Sequence, residues 1–112
     1  MSQSDGIAFI EGALVPIAEA RIPITDWGFL RSDVTYDVVA VWQGGFFRLD
    51  DHLDRFFRSI EKLHMHSPHD RDEVTAILTE CVKQSGLQES YVEMILTRGT
   101  PPMGSRDPRE CE

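Results

Sequence analysis

The side chains in this sequence that could do chemistry are few and scattered. His64, His66 and His69 crowd one stretch beside Asp70. No two of these histidines share the i, i+4 spacing that puts paired ligands on one helical face, and no cysteine joins them. A polar interhelix loop is therefore the expected reading, with no metal site. The sequence contains no GxSxG nucleophile elbow, no GxGxxG fingerprint and no phosphate-binding loop of the GxxxxGK type. Lysine occurs only twice, at Lys62 and Lys83. Three other residues carry information through position. Arg55 lies within a run where Leu53, Phe56, Phe57, Ile60 and Leu63 recur at helical spacing. At ~100° per residue it falls roughly 140° from the mean of that apolar face. It is either a solvated arginine or a guanidinium fork facing a cleft, where it would suit a phosphate. Tyr36 opens an apolar strand, and Arg98 closes another. Each sits either at a sheet rim or in a pocket, and periodicity alone does not choose. By motif alone the chain has no complete active site.

The elements that must position these residues follow from pattern. Ile7–Ile10 and Ala13–Val15 flank Glu11-Gly12 and read as an opening hairpin. Pro16 and Pro23 punctuate residues 16–33, which read mostly as loop. Ile22, Ile24, Trp27 and Phe29 make that loop too apolar for a freely solvated connector, so it either packs across the domain or lines something. Tyr36–Trp42, rich in β-branched and aromatic residues, reads as a strand. Gln43-Gly44-Gly45 turns it, and residues 46–48 pair back. The helix carrying Arg55 follows, with Asp50 or Asp51 placed to cap it. Asp70 is the expected N-cap of a second helix, with Glu73 three residues on to complete a capping box. Val74, Ile77, Leu78, Cys81 and Val82 form its buried stripe, and Gly86 its C-terminal stop. Tyr91–Thr97 alternates as a strand, with Val92, Met94 and Leu96 on one face. After Gly99 periodicity ends. The expected fold class is α+β, an antiparallel sheet with two helices packed on one face. Residues 1–99 form one small domain and residues 100–112 an interdomain loop or tail.

Composition bounds the rest. At 112 residues, 41% hydrophobic and 27% charged, the chain has the balance of a single soluble domain with one modest core. A net charge of -8 argues against a nucleic-acid partner, because phosphate backbones call for clustered Lys and Arg. The first residues, Met1-Ser-Gln-Ser-Asp-Gly6, carry no secretory signal, and no apolar run approaches the ~20 residues of a membrane span. Cys81 and Cys111 form no CxxC pair and read as free thiols in a reducing cytoplasm.

Several segments together resemble a known family. They are Ile24-Thr-Asp-Trp-Gly-Phe29, Ser32-Asp33, Tyr36-Asp37 and Phe47-Arg-Leu-Asp-Asp-His52-Leu-Asp-Arg55, followed by Ser59-Ile-Glu-Lys-Leu63 and Thr97-Arg98-Gly99. In this order they are similar to the N-terminal small domain of class IV (fold-type IV) aminotransferases, which use pyridoxal 5'-phosphate. That family includes branched-chain and D-amino-acid aminotransferases, (R)-selective amine transaminases and aminodeoxychorismate lyase. The resemblance implies that Arg55 binds the cofactor phosphate. It implies that Tyr36 and Val38 line the substrate pocket from one strand face. Arg31 would reach a pocket of the neighbouring subunit of a homodimer, and Arg106 would meet a substrate carboxylate from a mobile arm. Many relatives carry glycines where this chain has Ser32 and Val34, so no positive φ is expected there. The Ser-Asp-x-Thr-Tyr-Asp-Val version looks most like the (R)-selective amine transaminases. The family's cofactor-binding lysine comes from a larger C-terminal domain, and neither Lys62 nor Lys83 matches it. The implied activity is transamination between an amine or amino-acid donor and a 2-keto acid, by the full-length enzyme and not by these residues alone. A lyase-like cofactor enzyme or a non-catalytic dimerisation module are the alternatives.

Overall fold

The computed structural model describes residues 6–111. Residues 1–5, which carry most of the stretch without a secretory signal, and residue 112 lie outside them. Strands β1 (Ile7–Ile10) and β2 (Ala13–Pro16) form a two-stranded antiparallel sheet. Their turn places Glu11 and Gly12 at φ 51 and 84, the paired left-handed geometry that matches strand twist. A single 3-10 turn follows at Ile17–Glu19. Helix α1 spans Trp27–Leu30, inside the segment expected as loop. Strand β3 (Val34–Trp42) is the centre of a second sheet, ordered β4-β3-β5, with β4 at Gly45–Phe46 and β5 at Ser90–Thr97. Helices α2 (Leu49–Lys62) and α3 (Arg71–Ser85) complete the fold.

The expected α+β class holds, with the strands divided between two antiparallel sheets. Helix α2 packs on β3, and α3 packs on β1 and β5. Leu53, Phe56 and Ile60 of α2 meet Val39, Met94 and Leu78 in one core, with Val39 and Leu53 fully buried. The i, i+3, i+4 spacing of the α2 residues makes this face, and the period of two in β3 and β5 supplies its floor. Leu63 falls past the last turn of α2 and is exposed.

Local chemistry explains the helix ends. Asp70 accepts from the Glu73 N–H at 2.8 Å while the Glu73 carboxylate accepts from the Asp70 N–H at 2.9 Å, so α3 opens with a full capping box. Gly86 closes it at φ 73. Helix α2 differs from expectation: Arg48 holds the cap position at φ 56 with no side-chain cap, and Asp50 and Asp51 lie inside the first turn. There they complement the helix dipole, and Asp51 pairs with Arg48. The left-handed turn at Arg48 also ends β4 early, although the Phe47 N–H still donates to the Ala40 carbonyl at 2.9 Å.

The end of β5 is stapled twice. Asp26 caps α1 by accepting from the Gly28 N–H at 2.7 Å, and its other oxygen accepts from the Thr97 hydroxyl at 2.9 Å. Arg98 pairs with Asp33 at 2.9 Å and donates to the carbonyls of Leu63 and His64 at 2.9 and 3.0 Å. It thereby satisfies the exposed carbonyls at the end of α2. Arg98 is thus a rim clamp, resolving the choice left open by alternation. Ser32 adopts φ 55, contrary to the expectation from its side chain. The reversal from α1 into β3 requires that geometry, and the Asp33 N–H closes it onto the Trp27 carbonyl at 3.2 Å. Residues 100–111 are irregular apart from a 3-10 turn at Pro108–Glu110, where the Ser105 hydroxyl donates to Glu110.

Two substitutions test this packing. Leu53→Ala, at a site 1% exposed, should cost about 2–5 kcal/mol in denaturant unfolding through lost transfer energy and a cavity. A Cβ on Gly28 would lie 2.4 Å from Thr97 Cγ2, so Gly28→Ala should cost about 1–3 kcal/mol and lower Tm. An unchanged Tm would refute that close approach.

Candidate functional site

Alternation along β3 sends Asp37, Val39 and Val41 inward and leaves Tyr36, Ala40 and Trp42 exposed on the other face, with Val38 half-buried among them. An aspartate on the core side of such a strand is the anomaly, since a buried carboxylate is tolerated only when fully paired. Asp37 is 4% exposed, and each of its oxygens is used. Oδ2 accepts from Arg55 Nε at 2.7 Å. Oδ1 accepts from Arg55 Nη2 at 2.9 Å and from the Val38 N–H at 3.0 Å, and lies 2.7 Å from His52 Nδ1. With an ionised Asp37 that last contact needs a proton on His52 Nδ1, so Nδ1 is not also an acceptor for Arg55 Nη2, 3.5 Å away.

Helix α2 delivers both partners because His52 and Arg55 are three residues apart and share a side of the helix. Arg55 meets the carboxylate in the two-pronged geometry that only a guanidinium offers. Those hydrogen bonds are the chief reason the Asp37 carboxyl is held down to about 2; burial opposes them, and His52 adds to the lowering. The Arg55 side chain nevertheless remains 62% exposed, and its Nη1 makes no hydrogen bond among the described residues. Arg55 leaves the core, as its place on the helical wheel implies, but the long side chain curls back to reach Asp37.

Tyr36 is 61% exposed, and Val38 shares its face; they sit opposite Ile95 and Glu93 of β5. Trp42, Tyr91 and Ile95 are exposed there too. Asp37 lies between Tyr36 and Val38 in the chain, so Arg55 is anchored to the same stretch of β3 from the opposite face. Arg31 stacks over its own neighbour Trp27, 4.3 Å from the ring centroid. Arg106 is exposed in the tail, and no hydrogen bond or ion pair joins either arginine to the Asp37 cluster. Lys62 and Lys83 are exposed in the last turns of α2 and α3.

Among the described residues no three His, Cys, Asp or Glu side chains converge to hold a metal ion. His69 instead meets Phe9 edge-on, with ring centroids 5.9 Å apart. Cys81 and Cys111 are free, and burial pushes both thiols up, away from nucleophilic use. A surface cavity of about 320 Å³ between β1, β2 and α3, lined by Phe9, Leu14, Ala76, Ile77 and Glu80, contains none of the cluster residues.

Asp37 and His52 fall within the segments that carry the family resemblance, but the sequence assigns neither a role in the site. The available signal was alternation: a charged residue in phase with Val39 and Val41 must find a partner.

The lowered carboxyl sets an acid limb for stability. A group depressed on folding contributes above its unfolded value and loses that contribution as pH falls through the folded one. Asp37 should therefore supply roughly 2 kcal/mol at neutral pH that disappears between about pH 4 and pH 2. Urea unfolding across that range, compared with Asp37→Asn, should show the variant with the shallower acid limb; parallel limbs would refute it.

Comparison with known proteins places this geometry in context. The amino-transferase class IV family model matches residues 35–111. A D-alanine aminotransferase of Listeria monocytogenes is 30% identical over 90 residues, 80% of this chain and 31% of the relative. The branched-chain amino acid aminotransferase of T.th., solved with pyridoxamine 5'-phosphate, superposes with a TM-score of 0.79 at 23% identity, over 88% of this chain and 34% of that one. The branched-chain aminotransferase of Thermoproteus uzoniensis with norvaline gives 0.73 at 24% identity, over 87% and 34%. The structural matches establish the shared fold. The chain spans about a third of the length of the relatives it matches. With the family model covering the region from β3 through the tail, which contains Asp37, His52 and Arg55, this chain belongs to the class IV aminotransferases.

Proposed function

We propose that this chain is the small-domain part of a pyridoxal-phosphate-dependent aminotransferase that moves an amino group from an amine or amino-acid donor to a 2-keto acid. The observation that carries the reading is Arg55: an exposed guanidinium, pinned on one edge and open on the other, within the segment matched by the family model. The residues present fit part of such a cofactor. Arg55 supplies a fixed cation for a phosphate. Tyr36 and Val38 supply an apolar wall with one hydroxyl. The chemistry such a cofactor supplies when bound is an electron sink for the donor carbon.

Within that reaction this chain's residues bind and orient. Arg55 would hold the phosphate end, and Tyr36 and Val38 would exclude water on one side of the donor. Arg106, free in the tail, would meet a substrate carboxylate. The lysine that attaches the cofactor and moves the proton is assigned to a segment other than residues 1–112, because Lys62 and Lys83 stand in solvent. A cytoplasmic homodimer is part of the proposal. Its support is the row of exposed apolar residues Ile22, Ile24, Phe29 and Leu30 next to Arg31, which suits burial against a second subunit.

Borohydride trapping of pyridoxal phosphate on the full-length protein, followed by peptide mapping, should mark a lysine outside residues 1–112. Marking of Lys62 or Lys83 would overturn the assignment. Amino transfer to a 2-keto acid should appear with (R)-1-phenylethylamine, D-alanine or leucine as donor. Silence on all three would sink the aminotransferase reading.

A further inference from the structure

We infer that Asp37 is the positioning residue of the phosphate site, fixing the Arg55 guanidinium in its receiving orientation before any ligand arrives. The inference rests on the reading of Arg55 as the phosphate ligand and goes beyond it by naming what holds that arginine. An exposed arginine has several rotatable bonds, and freezing them on ligand capture costs affinity. Here the freezing is done in advance. Asp37 is nearly fully buried on β3 and engages Arg55 through Nε and one N–H of Nη2, at 2.7 and 2.9 Å. This leaves Nη1, with both its N–H groups, free of hydrogen bonds among the described residues, and the side chain open to solvent. The carboxylate is itself held by His52 and by the Val38 N–H, so it does not swing with its partner.

A competing effect has the opposite sign. Asp37 puts a negative charge beside the cation and lowers its attraction for a phosphate. If charge were the larger effect, removing the carboxylate would tighten phosphate binding. If orientation is the larger, removal weakens it.

The test uses the full-length protein and two probes, pyridoxal 5'-phosphate and pyridoxal, with Kd for each read by absorbance. The preference for the phosphorylated form isolates the phosphate contact from general damage to the fold. Asp37→Asn should lower that preference about tenfold, the scale of one misplaced charge-assisted hydrogen bond. Asp37→Glu should keep most of it. An Asp37→Asn preference equal to or above the parent's, or equal weakening of both probes, overturns the positioning role. Arg55→Ala separates the two levels. If it keeps the full preference, Arg55 is not the phosphate ligand and both readings fall. If it loses the preference while Asp37→Asn keeps it, only the positioning role falls. A second readout needs no substitution: in the ligand-free protein the Arg55 Nε–H should give a distinct NMR resonance protected from water exchange. Rapid exchange at that position would overturn the inference equally.

Discussion

A carboxylate buried inside a small domain is costly, and Asp37 makes the rest of the arrangement answer to that cost. Moving an unpaired carboxylate out of water is worth several kcal/mol against folding. The cost is offset only when α2 lies on β3 in the register that brings His52 and Arg55 to its two oxygens. The apolar face of α2, through Leu53, Phe56 and Ile60, supplies the driving force for docking but is tolerant of small shifts. The ion pair is not tolerant, because a two-pronged contact is lost with a small rotation. Hydrophobic packing brings the helix to the sheet, and Asp37 sets its register.

The strand that carries this carboxylate presents two unlike surfaces. Its inner side, Asp37, Val39 and Val41, is closed over by α2 and the core. Its outer side carries Tyr36 and Trp42, both well exposed, with Ile95 of β5 opposite Tyr36 and Tyr91 opposite Ala40. The outer face is aromatic and apolar apart from Glu93, and is shaped by backbone alternation, not by packing within the domain. The inner face owes its geometry to charge. A single strand thus joins a rigid electrostatic anchor on one face to an exposed, adaptable surface on the other.

Much of this was legible in the sequence, wherever one local rule decides. The capping box of Asp70 and Glu73, the Gly86 stop and the inward phase of Val92, Met94 and Leu96 each follow from a few neighbouring residues. Less legible were features fixed by distant partners. Helix α1 forms although four residues cannot support a helix alone. It stands because Asp26 and the Trp27 N–H are held by Thr97 and the Gly99 carbonyl, about 70 positions later. Ser32 takes a left-handed φ because the chain must reverse there, overriding its own preference. The expected cap at Asp50 or Asp51 failed because Arg48 turns left-handed and engages Asp51 itself. Arg55 stands out in the sequence by its place off the apolar face, while its partner is hidden on a strand in a motif dominated by its tyrosine.

The pairing of β3 with β5 also bears on the order in which the domain assembles. Val34 meets Thr97 and Val41 meets Ser90, so both long helices lie in the loop that this pairing must close. Closing a loop of that length is entropically expensive, whereas α2 and α3 draw on contacts close in sequence. Asp37 and Arg55 are only 18 positions apart and can meet once α2 has collapsed onto β3. The staples from Asp26 to Thr97 and from Asp33 to Arg98 join residues separated by 71 and 65 positions. The arginine anchor is therefore built from local structure, and the clamps at the end of β5 are the final closure of the chain.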